Sequence, residues 1–216
     1  MASNPSVLTK LASALNRQDD VPNQELAQEL ADTGNAAAVQ ELVTNLDNPR
    51  KDIQSDCIKT LYELGYRKPE LIASYMPEFV RLLRSRNNRL VWGGMIALGT
   101  IAPLKAADIW PHLDIIISVT ESGSVITQDW GMRVLAAVAA ADKAYEQRAF
   151  PLLKKYLETC RPKEVAAYAE SILVAVNADN SGEIRAILEK RLPALRDAQV
   201  KRVEKVLRQL EKLGGV

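Results

Sequence analysis

A spacing of 38 residues recurs along the chain and limits what it can fold into more than any other feature. It joins four β-branched residues, Ile58, Ile96, Val134 and Ile172. These residues lie in similar segments with apolar residues at helical spacing, namely CIKTLYEL (57–64), MIALGTIA (95–102), RVLAAVAA (133–140) and SILVAVNA (171–178). A fixed period of this length is typical of repeat proteins, in which each unit buries its apolar face against its neighbours. The spacing therefore predicts equivalent helices in successive units.

Small residues follow these positions and favour close packing of the predicted helices. Three residues further along each segment come Leu61, Gly99, Ala137 and Ala175, and six residues further come Leu64, Ala102, Ala140 and Ala178. Small side chains on one helix face let a neighbouring helix approach closely. We therefore expect the helices of adjacent units to meet along this face.

A second series has the form apolar, proline, any residue, apolar. Its members are Met76-Pro77-Glu78-Phe79, Trp110-Pro111-His112-Leu113, Phe150-Pro151-Leu152-Leu153 and Leu192-Pro193-Ala194-Leu195. Proline inside a helix removes one backbone hydrogen bond and clashes with the preceding turn, at a cost of roughly 3 kcal/mol. Its recurrence predicts a kink or a helix start in each unit. Pro49 and Pro162 are predicted to occupy first helical positions.

The two series together resemble the HEAT repeat family, and in particular small bacterial-type HEAT-repeat proteins. In that family the first helix of each pair carries a proline and the second has an Ala-Leu-Gly-like core. The best match is PELIASYMPEFVRLLRSRNNRLVWGGMIALGTIA (69–102), through Pro69, Pro77, Leu82, Leu83, Ala97, Leu98 and Gly99. The resemblance covers about residues 35–213. It departs from the family where Leu90-Val91-Trp92 stands in place of the Val-Arg pair that usually opens the second helix.

This resemblance implies an all-α fold, an alpha-alpha superhelix of about five antiparallel helix pairs. The pairs are predicted at residues 35–65, 69–102, 104–141, 142–178 and 181–213. Residues 1–34 are predicted to form an N-terminal helical cap, with one or two shorter helices, because a terminal repeat must cover its exposed side. Residues 35–216 are predicted to form a single continuous solenoid domain.

The 38-residue spacing also aligns a column of large polar and aromatic side chains near the starts of four second helices. The column consists of Gln54, Trp92, Trp130 and Tyr168. The second helices of solenoids often line the concave surface, where such rings could hold a peptide, a flat ligand or unstacked bases. Alternatively, the rings fill the space left by small residues one turn further on.

Basic residues cluster from Arg81, at the turn of the second predicted unit, to Lys105, with no acidic residue between them. They are Arg81, Arg84, Arg86, Arg89 and Lys105. Such a cluster can bind phosphate or an acidic segment of a partner, or it can simply be a solvated turn. The whole chain has 28 basic and 27 acidic residues, a net charge of +1, so its overall charge does not favour nucleic acid or an anionic membrane.

The sequence offers few residues from which an active site could be built. His112 is the single histidine, and with only Asp108 and Asp114 nearby it would make a poor transition-metal site. The GxSxG, GxGxxG and GxxxxGK[ST] motifs are absent from the sequence. We therefore expect no enzyme activity, no cofactor and no metal.

The sequence favours a cytoplasmic protein without a membrane partner. The longest uncharged run, Leu90 to Leu104, has 15 residues, whereas a bilayer span needs about 20. The opening residues 1–5 do not resemble a secretion signal. Cys57 and Cys160 form no CxxC motif, which fits a reducing compartment, with one inter-repeat disulfide as the alternative.

These observations predict a non-enzymatic scaffold or adaptor that binds a protein or peptide segment on the concave face of the solenoid. The predicted anchoring residues are Trp92, Trp130 and Tyr168. Arg86 and Arg89 are predicted to supply complementary charge. The identity of the partner and the oligomeric state are left open.

The alternative prediction is a nucleic-acid-binding protein. Asp129-Trp130, Trp92 and the arginine cluster superficially resemble parts of a bacterial DNA glycosylase family for alkylated bases, which has a HEAT-like fold. Proteins of that kind are expected to carry a clear basic excess, which this chain lacks.

Overall fold

The computed structural model describes residues 6–213, which are mostly helical and contain no strand. The α-helices are α1 (Val21–Thr33), α2 (Ala36–Thr44), α3 (Lys51–Arg67), α4 (Met76–Leu82), α5 (Asn88–Ile109), α6 (Leu113–Ser122), α7 (Val125–Ala141), α8 (Lys143–Thr159), α9 (Pro162–Ile172), α10 (Ser181–Arg191) and α11 (Asp197–Leu213). Short 3₁₀ turns adjoin several of them. Parts of the predicted cap (1–5) and solenoid (214–216) lie outside the described residues.

The helices follow the predicted pairing. After α1 come the pairs α2 with α3, α4 with α5, α6 with α7, α8 with α9 and α10 with α11. The boundary between the second and third pairs differs, because α5 continues past the predicted end at residue 102 to Ile109. Its backbone leaves helical geometry at Lys105 (φ −128°, ψ 21°), two residues after Pro103, which divides α5 near the predicted boundary.

The chain forms two compact units, of which unit 1 ends at Thr127 and unit 2 begins at Gln128. In unit 1, α3 lies between α1 and α5, while α2 packs on α3 and α4 packs on α5. In unit 2, α9 contacts both α8 and α11, and α10 contacts α8 and α11. The predicted division into a cap at 1–34 and a solenoid at 35–216 stays a prediction.

The four residues joined by the 38-residue spacing occupy equivalent places in the core. Ile58, Ile96, Val134 and Ile172 are each at most 4% exposed and lie on α3, α5, α7 and α9. The predicted face of small residues is only partly buried. Leu61 and Leu64 are fully buried, whereas Ala140 and Ala178 are exposed. The close approach predicted for that face therefore does not extend along all four helices.

Glycines outside that predicted face mark close helix contacts in unit 1. A Cβ atom added at Gly93 of α5 would lie 2.6 Å from Cγ1 of Ile58 on α3. A Cβ atom added at Gly94 would lie 3.0 Å from Cβ of Leu82 on α4. Since atoms of real side chains rarely come so close, α5 approaches both neighbours at positions where only glycine fits without a shift.

The fourth second helix is shorter than predicted. The segment SILVAVNA (171–178) leaves α-helical geometry after Ile172 and continues as a 3₁₀ turn over Leu173–Ala175. Asn180, which is 4% exposed, stabilises the non-helical backbone that follows. Its Nδ2 donates to the Ala175 carbonyl at 3.1 Å, and its Oδ1 accepts from the Asn177 backbone N at 2.9 Å. An asparagine side chain that bonds the backbone in this way competes with helix formation.

Three of the four prolines in this series lie at the start of an α-helix or a 3₁₀ turn, and the fourth lies inside a helix. Pro77 lies in the first turn of α4 and Pro111 in the 3₁₀ turn before α6, as predicted. Pro151 lies inside α8, and Pro193 lies in the 3₁₀ turn that follows α10. The recurrent proline therefore has different roles in different units.

Pro162 is the first residue of α9, as predicted, whereas the prediction for Pro49 is wrong. The α-helix α3 begins at Lys51. The Asn48 side chain accepts a hydrogen bond from the Arg50 backbone N at 3.0 Å, so Pro49 belongs to the turn that precedes the helix.

The stretch Asn88–Ser122 is long and apolar enough to cross a membrane by length and composition alone. However, 56% of its most apolar window is buried inside the protein. Its side chains include Met95, Leu98 and Ile101 of the unit 1 core, each fully buried. The absence of a membrane partner stays a prediction.

Candidate partner-binding surfaces

The Trp92 side chain lies in an aromatic cluster between α3 and α5. Its ring centroid is 6.0 Å from that of Tyr62, at an interplanar angle of 55°, and the Tyr62 centroid is 5.8 Å from that of Tyr66 in an edge-on arrangement. Tyr62 is buried, Trp92 is half-buried and Tyr66 is 47% exposed. This aromatic cluster thus has a buried base and two rings that reach solvent.

An ion-pair network between α3 and the residue that precedes α1 adjoins the aromatic cluster. Lys59 Nζ lies 5.0 Å from the Tyr62 ring centroid, 3.0 Å from Glu63 Oε1 and 3.2 Å from Asp20 Oδ2. Arg67 Nη1 lies 2.8 Å from Glu63 Oε2. Burial disfavours the Lys59 ammonium, but hydrogen bonds with Tyr62 and Glu63 outweigh it and raise the Lys59 pKa. These contacts hold the base of the cluster in place.

Arg89 and Trp92 lie three residues apart on α5, so their side chains are neighbours along the helix. Arg89 is exposed and lines a groove of about 440 Å³, together with residues of α3 and of the segment before α1. Arg86 is exposed in the turn before α5 and lines a different groove, of about 460 Å³. The structure therefore brings Arg89 close to Trp92 and places Arg86 in the neighbouring groove.

Trp130 and Tyr168 belong to unit 2, on α7 and α9. Trp130 is half-buried, and the Arg133 guanidinium carbon lies 4.4 Å from its ring centroid, within cation–π distance. Tyr168 is only 4% exposed. The prediction that Tyr168 anchors a partner is therefore corrected, because its ring is enclosed in the core of unit 2 and offers almost no surface.

The Tyr168 hydroxyl hydrogen-bonds to Asp129, whose Oδ1 atom is buried without a hydrogen-bond partner among the described residues. Burial raises the Asp129 pKa, and the negative charge of Glu164 adds to this effect. The hydrogen bond from Tyr168 and the nearby Arg133 and Arg161 act in the opposite direction. The ionised carboxylate is therefore less stable here than in water.

Replacing Asp129 with asparagine is expected to stabilise the protein at pH 7. A carboxyl pKa raised in the folded state contributes stability below the unfolded value near 3.8, and this contribution is lost as the pH rises through the folded value. The Asp129→Asn variant should therefore melt above the wild type at pH 7, and the difference should shrink towards pH 4. Melting temperatures measured across that range test this expectation.

Glu164 provides an opposite control for that measurement. Its pKa is lowered because the Arg161 side chain donates hydrogen bonds to its carboxylate, which also accepts from the Arg161 backbone N. Glu164→Gln should therefore lower the melting temperature at pH 7 and have less effect at acidic pH. Equal effects of the two variants at pH 7 would contradict the two pKa directions.

The described residues give little support for covalent or metal chemistry. Neither Cys57 nor Cys160 is in a disulfide. Burial raises the pKa of the Cys57 thiol to about 12 and that of the Cys160 thiol to about 11, so both are protonated at neutral pH. Within residues 6–213, no group of three or more histidine, cysteine, aspartate or glutamate side chains could hold a metal ion.

No protein-family model and no curated protein matches this chain. Solved structures do match it. An engineered protein is similar with a TM-score of 0.64 and 19% identity, over 98% of both chains. A designed armadillo repeat protein in complex with the peptide (KR)4 has a TM-score of 0.61 and 16% identity, over 96% of this chain and 99% of that one.

A natural protein, the karyopherin Kap121p bound to the SUMO protease Ulp1p, is similar to 96% of this chain with a TM-score of 0.69 and 16% identity. This chain spans only 23% of the karyopherin. Because all these identities are below 20%, the similarities show the fold alone, an all-α helical repeat solenoid. The assignment to the HEAT family itself stays a prediction.

Proposed function

We propose that this chain is a non-enzymatic scaffold that binds an extended segment of a partner protein across the layer formed by α1, α3 and α5. The aromatic cluster of Tyr62, Tyr66 and Trp92 carries this proposal, because the rings of Tyr66 and Trp92 reach solvent and Arg89 lies one helical turn before Trp92 on α5. Partly exposed aromatic rings and arginine are the side chains most enriched among residues that dominate binding energy. Trp130, with Arg133 stacked on it, is the corresponding candidate in unit 2.

Two of the similar structures are complexes with a peptide or a protein, which supports peptide recognition as a use of this fold. Such support is by analogy, since one fold hosts many functions. The surface within unit 1 supports it independently, because a buried Tyr62 and its ion-paired neighbours fix the rings and reduce the entropy lost on binding. A cytoplasmic location is part of this proposal.

Peptide-display selection against the immobilised full chain tests the proposed function. We expect enriched peptides whose affinity falls at least about tenfold in Trp92→Ala, since a central aromatic anchor is worth roughly 2 kcal/mol or more. Trp110→Ala is the matched control, because Trp110 is also half-buried in unit 1 but lies at the start of the third pair. Melting temperatures of both variants must first be compared with the wild type.

Two outcomes would contradict the proposal. One is the enrichment of no peptide at all, and the other is equal binding by the wild type and Trp92→Ala. Fluorescence anisotropy with duplex and single-stranded DNA at low salt tests the nucleic-acid alternative, since phosphate contacts give strongly salt-dependent binding. Tight, salt-dependent binding to DNA in place of peptides would favour that alternative.

A further inference from the structure

A groove of about 460 Å³ lies at the edge of unit 1 where α2 turns into α3 and α4 turns into α5. Its lining includes four cationic side chains and one carboxylate. The cations are Lys51, Arg81, Arg84 and Arg86, and the carboxylate is Asp47. We name this the turn groove. Its charge is therefore strongly positive although the whole chain is close to neutral.

The single carboxylate of the turn groove, that of Asp47, is already paired with an arginine of the same groove. Both terminal nitrogens of Arg81 contact Asp47, with Nη1 and Nη2 each 2.9 Å from a carboxylate oxygen, and Arg81 Nε also bonds Glu78 at 2.9 Å. Bidentate contacts of this kind are the strongest arginine–carboxylate geometry. Asp47 thus has little capacity left to neutralise Arg84 or Arg86.

The arginines without an ion pair in the described part of unit 1 are confined to one short stretch. Arg17, Arg50, Arg67 and Arg81 each pair with an acidic side chain. Within the described residues, Arg84, Arg86 and Arg89 have no carboxylate within ion-pairing distance, and neither does Lys51. The arginines left without an ion pair are therefore gathered around the turn groove and the start of α5.

The local backbone adds to this positive potential. The first turn of α5, which begins at Asn88, contains no acidic residue and carries Arg89. Lys51, the first residue of α3, lines the same groove. The N-terminal end of a helix carries a partial positive charge, so cations there are unfavourable unless an anion binds. The N-terminal end of α5 therefore reinforces the charge of the arginine side chains, whereas the first turn of α3 carries Asp52 beside Lys51.

Side-chain amides fix the two turns relative to each other. Gln54 Nε2 donates to the Asn48 carbonyl at 2.8 Å, and Asn87 Nδ2 donates to Gln54 Oε1 at 3.0 Å. The Asn87 backbone N donates to Ser85 Oγ at 3.0 Å. The floor of the groove is thus held in place before any ligand arrives, which lowers the entropic cost of binding.

The charge next to the turn groove favours a peptide over a nucleic acid. Across Lys51 and Asn87 the turn groove adjoins the groove of Arg89, whose lining has four aspartates, Asp19, Asp20, Asp52 and Asp56. Only three cations, Arg17, Lys51 and Arg89, accompany them. A nucleic-acid backbone carries a negative charge at every nucleotide, so its phosphates would meet the four aspartates on entering this second groove and would gain no net electrostatic attraction there. A peptide can instead confine its carboxylates to the turn groove.

We propose that the turn groove binds an acidic peptide segment of the partner, with aspartate or glutamate side chains on Arg84, Arg86 and Lys51. The inference rests on the proposed function, because it names the chemistry of the segment that the scaffold binds. Arg84 and Arg86 lie outside the aromatic cluster, so the two contacts can be tested separately.

Fluorescence anisotropy with the full chain and labelled 12-residue peptides tests the inference. One peptide contains a central run of glutamates and the other has glutamine at the same positions. We expect binding of the glutamate peptide that weakens at least about tenfold in Arg84→Glu/Arg86→Glu and weakens with added salt. The glutamine peptide should bind at least about tenfold less tightly than the glutamate peptide.

The matched control is Lys201→Glu/Arg208→Glu on α11, which makes the same change in net charge on the exposed face of unit 2. It should bind the glutamate peptide within about twofold of the wild type, since neither residue lines the turn groove and salt screens exposed charges. Equal loss in both double variants would overturn the inference, because binding would then follow net charge alone. Failure of the wild type to bind the peptide would also overturn it, and so would tighter binding of a DNA duplex of similar length.

The outcome distinguishes this inference from the proposed function. If the selected peptides need Trp92 but bind Arg84→Glu/Arg86→Glu as tightly as the wild type, the proposed scaffold function stands. The inference that the partner segment is acidic is then wrong. If the glutamate peptide needs Arg84 and Arg86 but binds Trp92→Ala as tightly as the wild type, the turn groove is a binding site. The proposal that Trp92 anchors the partner is then contradicted.

Discussion

Replacing Phe79 with alanine is expected to lower the free energy of unfolding by about 3–5 kcal/mol, the range found when a buried aromatic side chain is truncated. Phe79 is fully buried on the short helix α4, which packs on α5. A helix of this length has little stability of its own and depends on such contacts. For a chain of this size the melting temperature should fall by roughly 6–20 °C. Chemical unfolding followed by tryptophan fluorescence and by circular dichroism measures the effect.

The proline series supplies the controls for Phe79. The residues at the equivalent position are Leu113, Leu153 and Leu195. Leu113 and Leu153 are fully buried, whereas Leu195 is half-buried in an extended segment after α10. We therefore expect Leu195→Ala to cost clearly less than Leu113→Ala or Leu153→Ala. A cost for Leu195→Ala equal to that for Phe79→Ala would contradict the packing of the last pair.

The helical repeat could be predicted from the sequence because it depends on a regular spacing. Each repeat meets its neighbours through the same face, so residues such as Ile58 and Val134 must be apolar at a constant interval. Local interactions that interrupt the period could not be predicted in this way. The Asn180 side chain, for example, stabilises a turn where SILVAVNA has an apolar pattern that continues the helix.

The candidate surface was only partly predictable for a related reason. The spacing aligns Trp92 with Tyr168, but the fold leaves one half-buried and encloses the other. Tyr62 contacts Trp92 because α3 and α5 pack side by side. The two residues are 30 positions apart, so the 38-residue spacing does not align them. Tyr62 and Tyr66 lie one turn apart on α3, and this i, i+4 pair was the one signal in the sequence that could have identified them.

The charge of the turn groove was also only partly predictable from the sequence. The sequence places Arg81, Arg84, Arg86 and Arg89 in one cluster, but it cannot separate the paired arginine from the unpaired ones. Arg81 reaches Asp47, 34 residues earlier, only because α2 and α4 belong to adjacent pairs. The remaining charge is available to a partner because of that long-range contact, which no local pattern encodes.

Replacing Gly65 with alanine is expected to destabilise the protein by roughly 1–3 kcal/mol, although alanine is usually the better residue inside a helix. A Cβ atom there would clash first with Thr100 Oγ1, and it would lie 2.8 Å from Ile72 Cδ1 and 3.0 Å from Thr100 Cβ. Thr100 is β-branched, and its hydroxyl donates to the Ala97 carbonyl at 2.7 Å, so its side chain cannot easily turn away. Helices α3 and α5 would have to move apart, and unfolding in urea should show the loss.

Gly182 is the matched control, because it lies on α10 with no atom within 4 Å of an added Cβ. Gly182→Ala should stabilise the protein by up to about 1 kcal/mol, since the helix gains propensity without a clash. In a double-mutant cycle, Thr100→Ala should restore part of the stability lost in Gly65→Ala, because it removes Thr100 Oγ1, the atom that would lie nearest to the added Cβ. If Gly65→Ala were as stabilising as Gly182→Ala, α3 and α5 would not meet as closely as described. The contact between Tyr62 and Trp92, which depends on the packing of those two helices, would then also be wrong.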